Sequence, residues 1–332
     1  MNKNARAVLT CVLTLCVMLI SAATQAASFD CGKATSKMEL LICSDTQLSS
    51  LDETLAKEYK LARAHLSPSA SNKFVSGQRS WLRFYASYCF INHDASPADL
   101  AQAKRCFLDA YSDRIKELKT TGKLIEGMKT FVVIESALNV SAAEQSIYAI
   151  QRNYLQLDSD TATAQAINHY LSFPNKIDPD VTRGYESYVV RLTNLSQDWL
   201  LKTNQWDTMM GAYPNSGTAC GVYAISHARP LRIADVFSDS AWMSIAKKFA
   251  HAHFVSLAKE QKDFDLSMIS GYSQFELQPS TEFSFCLDAN GFSVDGFLPH
   301  VARALDGVSL PWSIFADHLT SYAREQIFTI KK

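Results

Sequence analysis

Six of its eight cysteines constrain this chain more than any other feature it carries. Cys31, Cys43, Cys89 and Cys106 crowd into its first third, while Cys220 and Cys286 stand far downstream. An even set of cysteines in an exported chain reads as disulfides. Metal ligation is the weaker reading, because no Cys-x-x-Cys or paired His-Cys spacing occurs. Four cysteines allow three pairings, and a long-range pairing stays open on sequence alone. The local pairs Cys31–Cys43 and Cys89–Cys106 are expected. A turn or two of helix separates the first pair, and the second flanks a connection between two helices. Antiparallel helices bring such positions within about 4.4–6.8 Å between Cα atoms. Cys220 and Cys286 fall in expected strands and are either bridged or two buried thiols.

Export is read from residues 1–26, a signal peptide. Lys3 and Arg6 supply a positive start, Ala7 to Ile20 form an apolar run broken only by Thr and Cys, and Thr24 and Ala26 are small residues at −3 and −1. The run is short of the ~20 residues a membrane span needs. Neither Cys16 nor Cys31 follows the small-residue box of a lipoprotein. A periplasmic or secreted chain beginning near Ala27 is expected, with Cys11 and Cys16 lost to the leader.

The mature chain divides into expected domains at 27–122 and 123–332. The first holds 13 Lys and Arg against 11 Asp and Glu, a net of +2; the second holds 17 against 22, a net of −5. Neither has the concentrated basic face of a nucleic-acid binder.

Helical stripes fill the first domain. Leu48, Leu51, Leu55, Tyr59 and Ala62 recur at intervals of three and four, capped by Asp45 or Ser44 and ended at Pro68. A second stripe runs through Phe74, Gln78, Trp81, Leu82, Tyr85 and Cys89. Ser96-Pro97 opens a third helix through Phe107, Tyr111, Ile115 and Leu118, with Gly122 as its expected C-cap. The segment reads as an all-α unit of about four helices.

These residues resemble the LprI-type lysozyme-inhibitor domain. Its opening is similar to Cys31 through Glu39 and Cys43, then Leu51-Asp52 and Tyr59. Its middle is similar to Gln78-Arg79-Ser80-Trp81 with Cys89, and its last helix to Cys106, Tyr111, Arg114 and Leu118. The resemblance covers roughly 28–118. Where that family commonly carries Arg-Asp before the third cysteine, this chain has Tyr85-Ala86. Trp81, Tyr59 and Tyr111 read as core aromatics, and Glu39, Asp52, Gln78 and Arg114 as caps and inter-helix pairs. His65 and His93 are expected to face solvent.

After Gly122 helical stripes give way to strands at Phe131–Ala137, Ser146–Leu157, Tyr188–Leu192, Ala219–Ser226, Phe275–Leu277 and Glu282–Leu287. Helices are expected at Thr161–Phe173 and Ser240–Glu260. The overall class is multi-domain, α and α+β: a disulfide-stapled four-helix unit, then an antiparallel sheet with packed helices. The second part resembles the extracytoplasmic lysozyme-sensing domain of RsiV-type anti-sigma factors. Arg229 to Phe237, Phe283-Ser284-Phe285, Gly291 to Val294, Pro299-His300 and Ser309 to Trp312 carry that resemblance, with Ala166-Ile167-Asn168 and Gly211 to Pro214 before them. That family usually has His where Tyr213 stands. His251 and His253 are two apart on a helix and point to different sides, which argues against a zinc pair.

Both resemblances imply one ligand, lysozyme, bound and occluded rather than chemically altered. Lysozymes are typically cationic, so the acidic second domain would speed encounter. The alternative is a module binding peptidoglycan or another envelope glycan, which exposed aromatics on the second domain would favour. A cell-wall hydrolase would need two carboxyls about 5–10 Å apart across a cleft. No enzyme, cofactor, metal or post-cleavage membrane span is expected.

Overall fold

The computed structural model describes residues 27–91, 96–141, 146–177, 184–209, 214–260, 282–294 and 307–330. The leader, His93, Gly211 to Tyr213, the strand expected at 275–277 and Pro299-His300 lie outside these residues. Two compact units form, each discontinuous in sequence. One comprises the described residues up to His65 with Tyr85–Lys119; the other comprises Leu66–Phe84 with the described residues from Thr120 onward.

The first unit is helical. A 3-10 turn at Cys31–Lys33 leads to α1 (Lys37–Ser44) and α2 (Thr46–Ala64). The last turn of α3 (Pro68–Tyr88) and all of α4 (Pro97–Leu118) complete it. Capping explains the breaks. Ser36 and Glu39 close a reciprocal capping box on α1. Asp45 accepts from the backbone of Gln47 and Leu48 at 3.1 and 3.0 Å, which starts α2. Helix α2 stops at Ala64, and Pro68 opens the next helix rather than ending the last. Disulfides Cys31–Cys43 and Cys89–Cys106 form with Cα separations of 5.7 and 5.6 Å. Leu48, Leu55, Phe107, Tyr111 and Leu118 are buried.

The second unit is built on a seven-stranded sheet whose spatial order follows the chain. Its strands are β1 (Leu124–Ile125), β2 (Met128–Ser141), β3 (Ser146–Asp158), β4 (Gly184–Asn194), β5 (Trp199–Met209), β6 (Asn215–Ala224) and β7 (Arg229–Pro230). All neighbours run antiparallel except β3 and β4, which are parallel and joined through α5 (Ala162–Leu171). A parallel pair needs such a crossover, because a tight hairpin cannot reverse the chain twice. Gly122 is not the cap of α4, which ends at Leu118. It takes a positive φ of 84° and donates to the Thr130 carbonyl at 2.7 Å, turning the chain into the sheet.

Helix α3 packs against β2 and β3 of this sheet. Ser80 and Ser136 share a hydroxyl–hydroxyl hydrogen bond of 2.8 Å, and Lys73 donates to Gln156 at 3.1 Å. Ser67 Nα donates to Asp158 at 2.8 Å at the start of the helix.

Beyond the sheet, β8 (Cys286–Leu287), β9 (Gly291–Val294) and β10 (Val308–Pro311) make a small antiparallel sheet. Of the strand expected over 282–287 only β8 is regular; Glu282 instead makes an isolated bridge with Arg232. A short helix α6 (Ile233–Val236), α7 (Ala241–Glu260), a 3-10 segment (Trp312–His318) and α8 (Ser321–Thr329) pack around one apolar core. Phe237 stacks on Trp242 with centroids 4.5 Å apart, and Phe292 meets Phe315 at 5.4 Å and Trp312 at 5.2 Å. Cys220 and Cys286 are bridged, tying β6 to β8.

Candidate functional site

The residues singled out in the helical part are engaged in caps and pairs. Glu39 accepts from the backbone of Ser36 and Thr35, each at 3.0 Å, and these amides hold its carboxyl below the usual range. Asp52 is buried on α2 and accepts from Ser28 Nα at 2.7 Å and from the Tyr111 hydroxyl at 3.2 Å. Burial pushes the Tyr111 phenol well above its ordinary value, and the Asp52 charge adds to this. Arg114 is 1% exposed and donates to Glu117 at 3.0 Å. Burial lowers the Arg114 pKa while Glu117 opposes the shift. Leu51 and Tyr59 are half-buried on α2, and Gln78 and Trp81 are buried on α3. Tyr85, which departs from the family pattern, is half-buried and edge-on to Tyr88 at 6.2 Å. These groups form caps and pairs, not a cleft.

Every cysteine among the described residues is bridged. Among the described residues no three His, Cys, Asp or Glu side chains converge as a metal site, and no helix is long and apolar enough to cross a membrane. His65, His251 and His253 are exposed. The β5–β6 pairing brings Ser226 to Asp198, but His227 does not join them as a nucleophilic triad. The Ser226 hydroxyl donates to the Asp198 carboxylate at 2.7 Å instead of to an imidazole, and the His227 ring lies against Tyr322 at 4.8 Å. A serine nucleophile needs a base to take its proton, and here that proton is directed to the carboxylate.

Among the described residues of the second unit, a groove and a cleft stand out. A groove of about 380 Å³ lies beside Ser80 and Arg83 of α3, Glu135 of β2 and the segment Phe173–Lys176. Arg152 fixes that segment, donating to the Asn175 carbonyl at 2.6 Å and sitting 4.9 Å over the Phe173 ring. Tyr154 donates to Glu135 at 2.7 Å from the same side. A smaller cleft of about 200 Å³ is lined by Tyr170, Lys202, Asn204, Glu282 and Ser284. Lys202 donates to the Tyr170 carbonyl at 2.7 Å and lies 4.7 Å over its ring. Burial pulls the Lys202 pKa down, with Glu282 opposing. Sequence reasoning missed both, because their residues come from separated strands with no shared motif.

Comparison with known proteins places the inhibitor resemblance on the helical part. The family model described as lysozyme inhibitor LprI matches residues 31–118. Among solved structures the chain is similar to a DUF3298 family member from Bacteroides fragilis, at 15% identity and a TM-score of 0.44, covering 64% of this chain and 99% of that one. It is also similar to a DUF3298 family protein from Pseudomonas aeruginosa PAO1, at 8% identity and a TM-score of 0.44, covering 59% of this chain and 96% of that one. Comparison with curated proteins finds no match.

Proposed function

We propose that this chain is an exported lysozyme-inhibitor-like protein that acts by binding and occlusion. The observation that carries the reading is the LprI family match over residues 31–118. The internal employment of Glu39, Asp52, Tyr111 and Arg114 supports a surface-mediated role, since these polar groups are occupied in caps and pairs. Occlusion of a glycosidase cleft asks only for a rigid complementary surface, and the three disulfides supply rigidity. The net charge of −5 over 123–332 favours encounter with a cationic partner and should do so less at high salt.

The RsiV-type resemblance of the second part belongs to the same proposal, as does export to the periplasm or medium after cleavage near Ala27. The test is lysozyme-driven lysis of cell walls with and without the full mature chain, at low and high salt. Dose-dependent protection, weaker at high salt, is expected. Undiminished lysis at a large excess of the chain would overturn the reading.

A further inference from the structure

The chain has five tryptophans, and four of them are buried: Trp81, Trp199, Trp242 and Trp312 are each no more than 6% exposed. Trp206 is the half-exposed one. It stands directly opposite Gly217 in the β5–β6 ladder, and a Cβ added at Gly217 would meet the indole Cζ2 at 2.7 Å and Cε2 at 2.9 Å. The indole therefore fills the space of the missing side chain and lies across β6. On its other flank Trp206 pairs with Tyr188 of β4, so the two aromatic side chains share one face.

Polar groups frame that platform. Glu186, two residues from Tyr188 and on the same face, accepts from the Tyr188 hydroxyl at 2.6 Å and from the Tyr148 hydroxyl at 3.2 Å. Burial and the Glu186 charge push both phenols up to about 12, so they stay protonated and keep the carboxylate oriented. In the other direction along β5, Asn204 lies two residues from Trp206, about 7 Å away on the same face. Its side-chain Oδ1 is buried in the cleft with Lys202 and Ser284 and has no partner among the described residues. A buried acceptor without a donor costs free energy, and a ligand N–H would recover it.

We propose that Trp206, Tyr188, Glu186 and Asn204 form a subsite for a glycan bearing N-acetylated aminosugars. The apolar face of a pyranose ring stacks on the indole, ring hydroxyls donate to Glu186, and the Asn204 amide turns out of its buried position so that Oδ1 accepts from the acetamido N–H. This combination of a flat aromatic body and a few placed polar groups is what orients a ligand in a shallow site. The site is separate from the lysozyme reading and stands or falls independently of it.

The test titrates the full mature chain with chitotetraose and, in parallel, cellotetraose, which has the same linkage without acetamido groups. Binding is read by calorimetry and by tryptophan emission, to which Trp206 contributes the solvent-exposed part. Saturable chitotetraose binding at least tenfold tighter than cellotetraose is expected. Trp206→Ala should weaken both sugars at least tenfold, Trp206→Phe should recover part of the loss, and Asn204→Ala should bring chitotetraose to the cellotetraose level. Circular dichroism of each variant checks folding, and the wild-type sugar comparison stands even if a variant misfolds. Co-sedimentation with purified sacculi separates a polymeric source, which retains the chain, from free oligosaccharide, which does not. Absence of saturable binding, equal affinity for the two sugars, or unchanged affinity in folded Trp206→Ala would overturn the proposal.

Discussion

Gly77 of α3 sits against the backbone of Ile134 on strand β2, where an added Cβ would lie 3.0 Å from the Ile134 nitrogen and 3.4 Å from its oxygen. The helix can approach the strand this closely only because no side chain intervenes. That single absent methyl sets how the middle segment of the inhibitor-like region meets the sheet.

Replacing Gly77 with Ala therefore tests the contact by its sign. In an unconstrained helix interior Ala would stabilise by up to about 1 kcal/mol relative to Gly. Here the methyl meets backbone that cannot rotate away, so a net loss of about 1–3 kcal/mol is expected. Urea denaturation of the full chain measures it. A gain in stability would show that the helix does not bear on the strand.

The Asp52–Tyr111 pair makes a second prediction. Tyr111→Phe removes one hydrogen bond from a buried carboxylate that still accepts from Ser28, so a cost of about 1 kcal/mol is expected. Lysozyme binding, measured below the melting temperature, should be unchanged. Loss of binding in the folded variant would make this pair part of the functional surface.

How much of this was legible differs between the two units. Helices announced themselves by stripe and cap: Asp45 starts α2 and Ser96-Pro97 starts α4 as their residue types require. The stripe on α3 showed which face is buried but not against what; Gly77, small at a helix interior, was the local signal of a close approach. Strand β5 escaped notice altogether. It is buried at Trp199 and Leu200 and largely open toward Met209, so no uniform alternation marks it. The platform at Trp206 was hidden for the same reason, since its meaning depends on Gly217 across the ladder.

Asp45 predicts an acid limb in stability. The Lys104 ammonium hydrogen-bonded to it, helped by backbone donors of α2, holds its carboxyl below the usual value. A carboxylate lowered by folding contributes fully above its unfolded value of about 3.9 and loses that contribution as pH falls through the folded one. Thermal melts of the full chain should fall on acidification below about pH 4. Asp45→Asn should make that fall shallower while keeping the helix cap. An unchanged acid profile would remove Asp45 from the account.

The Cys220–Cys286 bridge spans 66 residues of sequence and joins two strands. Loop-closure entropy puts its contribution at about 4 kcal/mol. The Cys220→Ser, Cys286→Ser double variant should show a loss of that order in urea denaturation, with the other two bridges intact by mass. A loss near zero would mean that the aromatic core holds β8 in place unaided.

The central claim is that this chain binds lysozyme through a preformed surface. Calorimetric titration of lysozyme into the full mature chain, at low salt and neutral pH, tests it most directly. The account predicts a saturable complex of defined stoichiometry whose affinity falls as salt rises. The absence of both a binding heat and a complex on gel filtration, at every salt concentration, would contradict it.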